Sequence, residues 1–134
     1  MSPLRNRFAC EAEALLGCRF RLHGRDPRTG LDCVGVALVA LARCDVHASA
    51  PADYALRNLS IAEALARSTL PFRAIEDRVV ERGDVLIVKP SAAQHHVLVA
   101  TGPASFVHAH AGLRRVVRQS GLPLRTILHH WRLD

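Results

Sequence analysis

A single lysine, Lys89, stands among the 18 basic residues, and the aromatic complement is one Trp, one Tyr and four Phe. The arginines are dispersed rather than clustered, and almost no aromatics lie between them. A nucleic-acid surface needs both features, so nucleic acid is not an expected partner. The longest apolar run, residues 34–42, is too short to span a bilayer, so no membrane insertion is expected. The first ten residues hold two arginines but no apolar segment of signal-peptide length, which points to cytoplasmic synthesis without a signal peptide. The four cysteines, 10, 18, 33 and 44, include no Cys-x-x-Cys pair, which argues against a zinc knuckle. Free thiols are expected rather than disulfides. Neither an internal repeat nor a low-complexity linker divides the chain, so residues 1–134 read as one domain, long enough to bury a core. The formal charge of +6 comes from arginine, a residue suited to carboxylates and phosphates.

The residues that are present fall into two grammars. Residues 4–16 alternate Leu4, Phe8 and Leu15 with charged positions at helical spacing, and Gly17 ends the pattern. Residues 18–30 form a loop punctuated by Gly24, Pro27 and Gly30. Asp32 then stands at an N-cap, before a helix from Cys33 to about Arg43 that is apolar nearly all round and therefore buried. A further amphipathic helix is predicted over 52–68. After Pro71 the period changes to two, with strands at 85–88, 96–100, 105–108, 113–118 and 126–133. Helices first and an antiparallel sheet second is the α+β pattern.

Cys33 is the candidate nucleophile. The first turn of a helix carries unpaired N–H groups and the positive end of the dipole, so a thiol there is expected to ionise more easily than a free one. A three-residue loop at 101–103 would set His96 directly opposite His108 on one face of the sheet. Cys33 then serves as nucleophile, His96 as general base and acid, and His108 as the group fixing the His96 tautomer. The Cys33 backbone N–H would help hold the oxyanion. A slip of register would exchange His96 and His108 for His95 and His110.

The same residues carry a resemblance. Leu16-Gly17-Cys18-Arg19-Phe20-Arg21-Leu22-His23-Gly24, with Leu31-Asp32-Cys33-Val34-Gly35, resembles the "LGxPYxxGG…DCSG" pattern of NlpC/P60 domains. Arg82-Gly83-Asp84-Val85-Leu86-Ile87 is similar to their "PGDLVFF", and His96-Val97 with Phe106-Val107-His108-Ala109 to their "HVGIY…FIHA". The order is right, and the matches cover residues 10–118. The resemblance implies a papain-like α+β fold and a thiol peptidase cleaving peptidoglycan stem peptides, often after γ-D-glutamate. It maps the Cys–His–polar triad onto Cys33, His96 and His108, and implies no cofactor. It also implies that small stand-alone members are carried by phage tails or phage-like particles, whose proteins would be partners delivering the enzyme to the cell wall. Two positions depart from the pattern: Val34 replaces the serine after the cysteine, and Phe20 replaces a tyrosine whose hydroxyl lies near the reacting carbonyl.

Other residues have plainer expectations. Asp32 reads as a cap, and Cys10, Cys18 and Cys44 as packing. His129 and His130 read as ordinary strand residues near Trp131. His23 and Arg25 read as solvated loop residues, with the lining of a substrate cleft as the alternative. Cys33, His96, His108 and His110 are zinc ligands in type, but their spacing matches no zinc motif, so no metal is expected. The alternatives to a peptidase are an inactive structural or assembly component of a phage-like tail, motivated by Phe20, and a thiol amidase or acyltransferase on small amides.

Overall fold

The computed structural model describes residues 2–48, 71–76, 79–91, 94–121 and 126–133; the helix expected over 52–68 lies outside them. The first helix, α1 (Pro3–Glu13), has proline at its first turn, where a missing N–H costs nothing, and it buries Phe8, Ala9 and Ala12. Gly17 follows in the left-handed region, φ +89°, and its N–H donates to the Val116 carbonyl at 2.9 Å. The loop beyond makes a small ladder, β1 (Arg25–Asp26) with β2 (Gly30–Leu31), and leads into α2 (Cys33–Arg43). Several β-branched residues lie in α2, so burial rather than propensity sustains it: Val34, Val36, Ala37, Ala40 and Leu41 are all inside.

Among the described residues there follows a six-stranded sheet in the order β3-β8-β4-β5-β6-β7, antiparallel at every pairing. Its strands are β3 (Phe72–Ala74), β4 (Val85–Ser91), β5 (Gln94–Gly102), β6 (Ser105–His110), β7 (Arg115–Ser120) and β8 (Thr126–Leu133). Strand alternation divides the apolar residues between two faces. Val85, Ile87, Val97, Val99, Val107 and Leu133 pack with Phe8, Leu15, Val36 and Leu41 of the helical layer. Leu86, Val88, Leu98, Ala100 and Phe106, with Val80, form a second cluster on the opposite face. The unbroken run Val85–Val88 is thus covered on both sides, and each such side chain contributes about 1.5–3 kcal/mol of burial.

The β5–β6 hairpin departs from the expected register. Its turn is two residues, 103–104, with Gly102 paired to Ser105, and an irregularity follows between Gly102 and Ala100. Ala100 pairs with Phe106 instead of residue 104. The ladder is therefore offset by two positions, and a shift of two keeps every side chain on its face. His96 and His108 remain on one face, but His108 is reached across the diagonal rather than directly opposite.

Candidate active site

The loop before α2 is built around Asp32. Its carboxylate is buried, 2% exposed, and accepts from the Gly35 N–H at 2.8 Å, the His23 N–H at 2.9 Å and Arg25 Nη1 at 2.9 Å. Asp32 is thus the helix cap expected of it, and also the tie that fastens the loop to the helix start. Two glycines make that approach close enough. A Cβ on Gly35 would lie 2.1 Å from the Gly24 carbonyl oxygen, and one on Gly24 would lie 2.1 Å from that of Gly30. Only hydrogen fits at either place.

The start of α2 brings the Cys33 sulfur to the backbone N–H of Val97 on β5, one residue beyond His96; the N–H groups of Val34 and of Cys33 itself also point at the sulfur. The residue is partly exposed and packs against the main core. Burial pushes the thiol up to about 12, the Asp32 carboxylate adds to the rise, and the three N–H groups oppose it. This reverses the expectation that the helix start alone would make Cys33 easily ionised. Desolvation of a thiolate outweighs a few partial charges. The sulfur needs a proton acceptor beside it to become a nucleophile.

His96 and His108 lie with ring centroids 5.8 Å apart, and His108 and His110 with centroids 5.7 Å apart. His108 is 4% exposed. Burial pushes its imidazole down to about 4, and the neighbouring His96 and His110 push it the same way, while the Gln119 side chain and the Ala109 backbone offer hydrogen bonds that oppose this. Its Nδ1 is buried without a hydrogen-bond partner. A ring this weakly basic stays neutral at physiological pH. His110 is anchored separately, its Nδ1 accepting from the Leu113 N–H at 3.0 Å.

The register closes the site on its other side. His110 pairs with Arg115, Arg115 bridges to Arg19, and Phe20 bridges to Leu31, next to Asp32 and Cys33. Phe20 therefore borders the site through its backbone, with its N–H on the Arg114 carbonyl at 3.0 Å. His95 lies on β5, but its side chain is outside the described residues. Cys10, Cys18 and Cys44 are free thiols, as is Cys33. The His129 ring lies tilted against Trp131, centroids 5.2 Å apart.

His130 is not the ordinary strand residue it was expected to be. Its Nε2 donates to Asp84 Oδ2 at 2.6 Å, while Arg132 donates to Oδ1 at 2.8 Å through Nε and to Oδ2 at 2.9 Å through Nη2. The Glu81 N–H adds a fourth bond at 2.9 Å, and Arg132 also reaches Glu81 Oε2 at 2.6 Å. Asp84 is completely buried, and although burial alone would raise its carboxyl, these donors hold it below the usual carboxylate range. Alternate placement of His130 and Arg132 on one strand was the available signal; their partner lies 46 residues before the first and 48 before the second.

No protein-family model and no curated protein matches the sequence. Solved structures do. NlpC2 from Trichomonas vaginalis superposes with a TM-score of 0.72 at 20% identity, over 98% of this chain and 48% of that one, so the present chain spans about half its length. The NlpC/p60 domain of the peptidoglycan hydrolase SagA gives 0.63 at 19% identity, over 87% of this chain and 88% of that one. The P60 domain of antigen MAP1204 from M. avium subspecies paratuberculosis gives 0.63 at 18%, over 97% and 94%. The chain has the α+β fold of NlpC/P60 domains, as the motifs implied.

Proposed function

We propose that this chain is a cysteine peptidase that hydrolyses peptide bonds of peptidoglycan stems, with Cys33 as nucleophile, His96 as base and acid, and His108 as the positioning group. The observation that carries the reading is the junction of α2 and β5: a thiol at a helix start, held at the N–H of Val97, one residue along β5 from a histidine whose ring meets a second, neutral histidine. In the reaction the Cys33 proton passes to His96, and the thiolate attacks the scissile carbonyl carbon. The Cys33 N–H faces the resulting oxyanion. Collapse breaks the carbon–nitrogen bond as His96 returns the proton to the leaving amine. Water, deprotonated by His96, then cleaves the thioester and releases a carboxylic acid and the free thiol. Burial raises the resting thiol to about 12, so the scheme has His96 take the proton as the sulfur attacks rather than beforehand.

The fold supports the same reading, since the SagA domain of like architecture belongs to a protein named as a peptidoglycan hydrolase. Digestion of purified sacculi by the wild-type chain and by Cys33→Ala, with fragments identified by mass spectrometry, tests it. New peptide ends only with the wild type are expected; identical fragment profiles would overturn it. Phe20 favours a second reading, a structural component that keeps the fold without activity, because a phenyl ring offers the reacting carbonyl no hydroxyl. Inert sacculi together with slow, equal alkylation of all four cysteines would favour that reading.

A further inference from the structure

Strand β7 reaches back to the candidate site through one side chain. The β6–β7 register sets His108 opposite Val117 and Phe106 opposite Gln119, so His108 and Gln119 are diagonal neighbours on one face of the sheet. We propose that Gln119 is a positioning residue for the His96–His108 pair: its amide oxygen accepts from the His108 Nε2–H and so leaves Nδ1 as a bare acceptor for an N–H of His96. The inference rests on the peptidase reading above and gives that site a fourth member, acting through His108.

Three observations carry it. First, the strands bring the two side chains together. Diagonal neighbours on antiparallel strands stand about 7–8 Å apart, within reach of a side chain as long as glutamine. The Gln119 side chain does hydrogen-bond the His108 ring. Second, the contact falls on one nitrogen. His108 Nδ1 is buried without a partner, so Gln119 meets Nε2. Third, the strand that carries Gln119 is fixed on both sides at its start. Its inner edge pairs with β6, while on the outer edge the Val116 N–H donates to Cys18 O at 2.8 Å and Val116 O accepts from the Gly17 N–H at 2.9 Å.

The chemistry decides which way the amide is turned. A neutral imidazole has one N–H and one lone pair, and the bond made by one nitrogen sets the role of the other. An amide NH₂ aimed at Nε2 would force the ring proton onto Nδ1, leaving a buried donor without an acceptor. That arrangement is costly in a ring only 4% exposed. The amide oxygen avoids it, and does so without adding a charge. Two rings then flank the Nδ1 lone pair, His96 and His110, with centroids 5.8 and 5.7 Å from that of His108. His110 has its own Nδ1 engaged by the Leu113 N–H at 3.0 Å. His96 gains a second N–H each time it takes the Cys33 proton. The opposite His108 tautomer would set one N–H against another at that moment, and the pair would repel.

The test reads the tautomer directly, by proton–nitrogen correlation NMR of the full chain with isotope-labelled histidine at about pH 8, where the ring is neutral. The wild type is expected to show His108 with Nε2–H and an unprotonated Nδ1. Gln119→Met, similar in length but without an acceptor, should divide His108 between both tautomers and lower kcat on a stem peptide about tenfold with KM unchanged. Gln119→Glu, which keeps an oxygen in place, should restore the wild-type tautomer. Arg118→Gln is the control. Arg118 is the preceding residue on β7 but binds Glu13 Oε2 at 3.1 Å and Thr101 Oγ1 at 3.2 Å, so its loss should lower the melting temperature and leave tautomer and kcat unchanged. An Nδ1–H ring in the wild type overturns the assignment. A tautomer unmoved by Gln119→Met also overturns it, passing the role to the Ala109 backbone, the other group that bonds the ring. So does an unchanged kcat in a Gln119→Met chain that has lost the tautomer. Wild-type turnover with a tautomer indifferent to Gln119 rejects the assignment and leaves the peptidase. A tautomer that depends on Gln119, in a chain that cleaves no stem peptide, rejects the peptidase and leaves Gln119 positioning His108.

Discussion

Two buried histidine constellations lie on the same sheet, and they are satisfied to very different degrees. Around Asp84, the Nε2 of His130, two nitrogens of Arg132 and the Glu81 N–H saturate both carboxylate oxygens. Around Cys33, a sulfur is held by backbone N–H groups at a position that pushes its thiol up to about 12, and the nearby His108 keeps an unpartnered Nδ1 and a basicity lowered to about 4. Saturated networks fix a fold, whereas buried groups left short of partners at shifted pKa values are where proteins do chemistry. The first constellation secures the turn at Gly83, which enters β4; the second lies where α2, β5 and β6 meet.

The difference can be tested from both ends. Cys33→Ala and His96→Ala should each lower turnover of a stem peptide by about 10⁴-fold or more while leaving the melting temperature near that of wild type, as calorimetry would show. Asp84→Ala should do the reverse. Stranding Arg132 and His130 in the interior should cost about 3–5 kcal/mol in urea unfolding, and at temperatures where the variant stays folded the rate should be largely kept. Gly35→Ala, whose Cβ would meet Gly24 O at 2.1 Å, should cost about 1–3 kcal/mol and also impair turnover, because the strain falls on the loop that positions Cys33. His108→Ala should slow turnover by about 10–100-fold, less than loss of the base, since an orienting group is removed and His96 remains.

Acid should separate the two sites as well. His108 binds its proton more weakly in the folded chain than the ordinary histidine value of about 6.5, so the unfolded chain takes up that proton first. Stability should therefore fall as pH drops from about 6.5 toward 4, and His108→Gln should flatten this slope in melting curves. Asp84 is shifted below its ordinary value, so its contribution is complete above about pH 3.9 and is lost only as pH falls through the lower, folded value. Asp84→Asn should leave the His108 window unchanged.

Much of this arrangement was legible in the chain because it depends on neighbours in sequence. Asp32 before an apolar run announced its own cap, the bounds of α2 followed, and alternation placed His96 and His108 on a shared face. The strand Thr126–Leu133 was readable for the same reason. The offset in the β5–β6 ladder was not, because it arises from a two-residue turn combined with an irregularity that neither strand's composition signals. The Asp84–His130–Arg132 network joins residues 46 and 48 apart, and no local pattern connects them. The direction of the Cys33 shift was misread because helix-end charge is visible in sequence, whereas the depth of a sulfur is set by the sheet packed over it.

The most direct measurement is the rate of iodoacetamide alkylation of each cysteine against pH, in the wild type and in His96→Ala. If Cys33 passes its proton to His96 as it attacks, it should label ahead of Cys10, Cys18 and Cys44 near neutral pH in the wild type, then fall behind all three in the variant until the pH is strongly alkaline. Labelling of Cys33 that is equally slow in both proteins, or equally fast in both, would contradict the pairing on which the proposed mechanism depends.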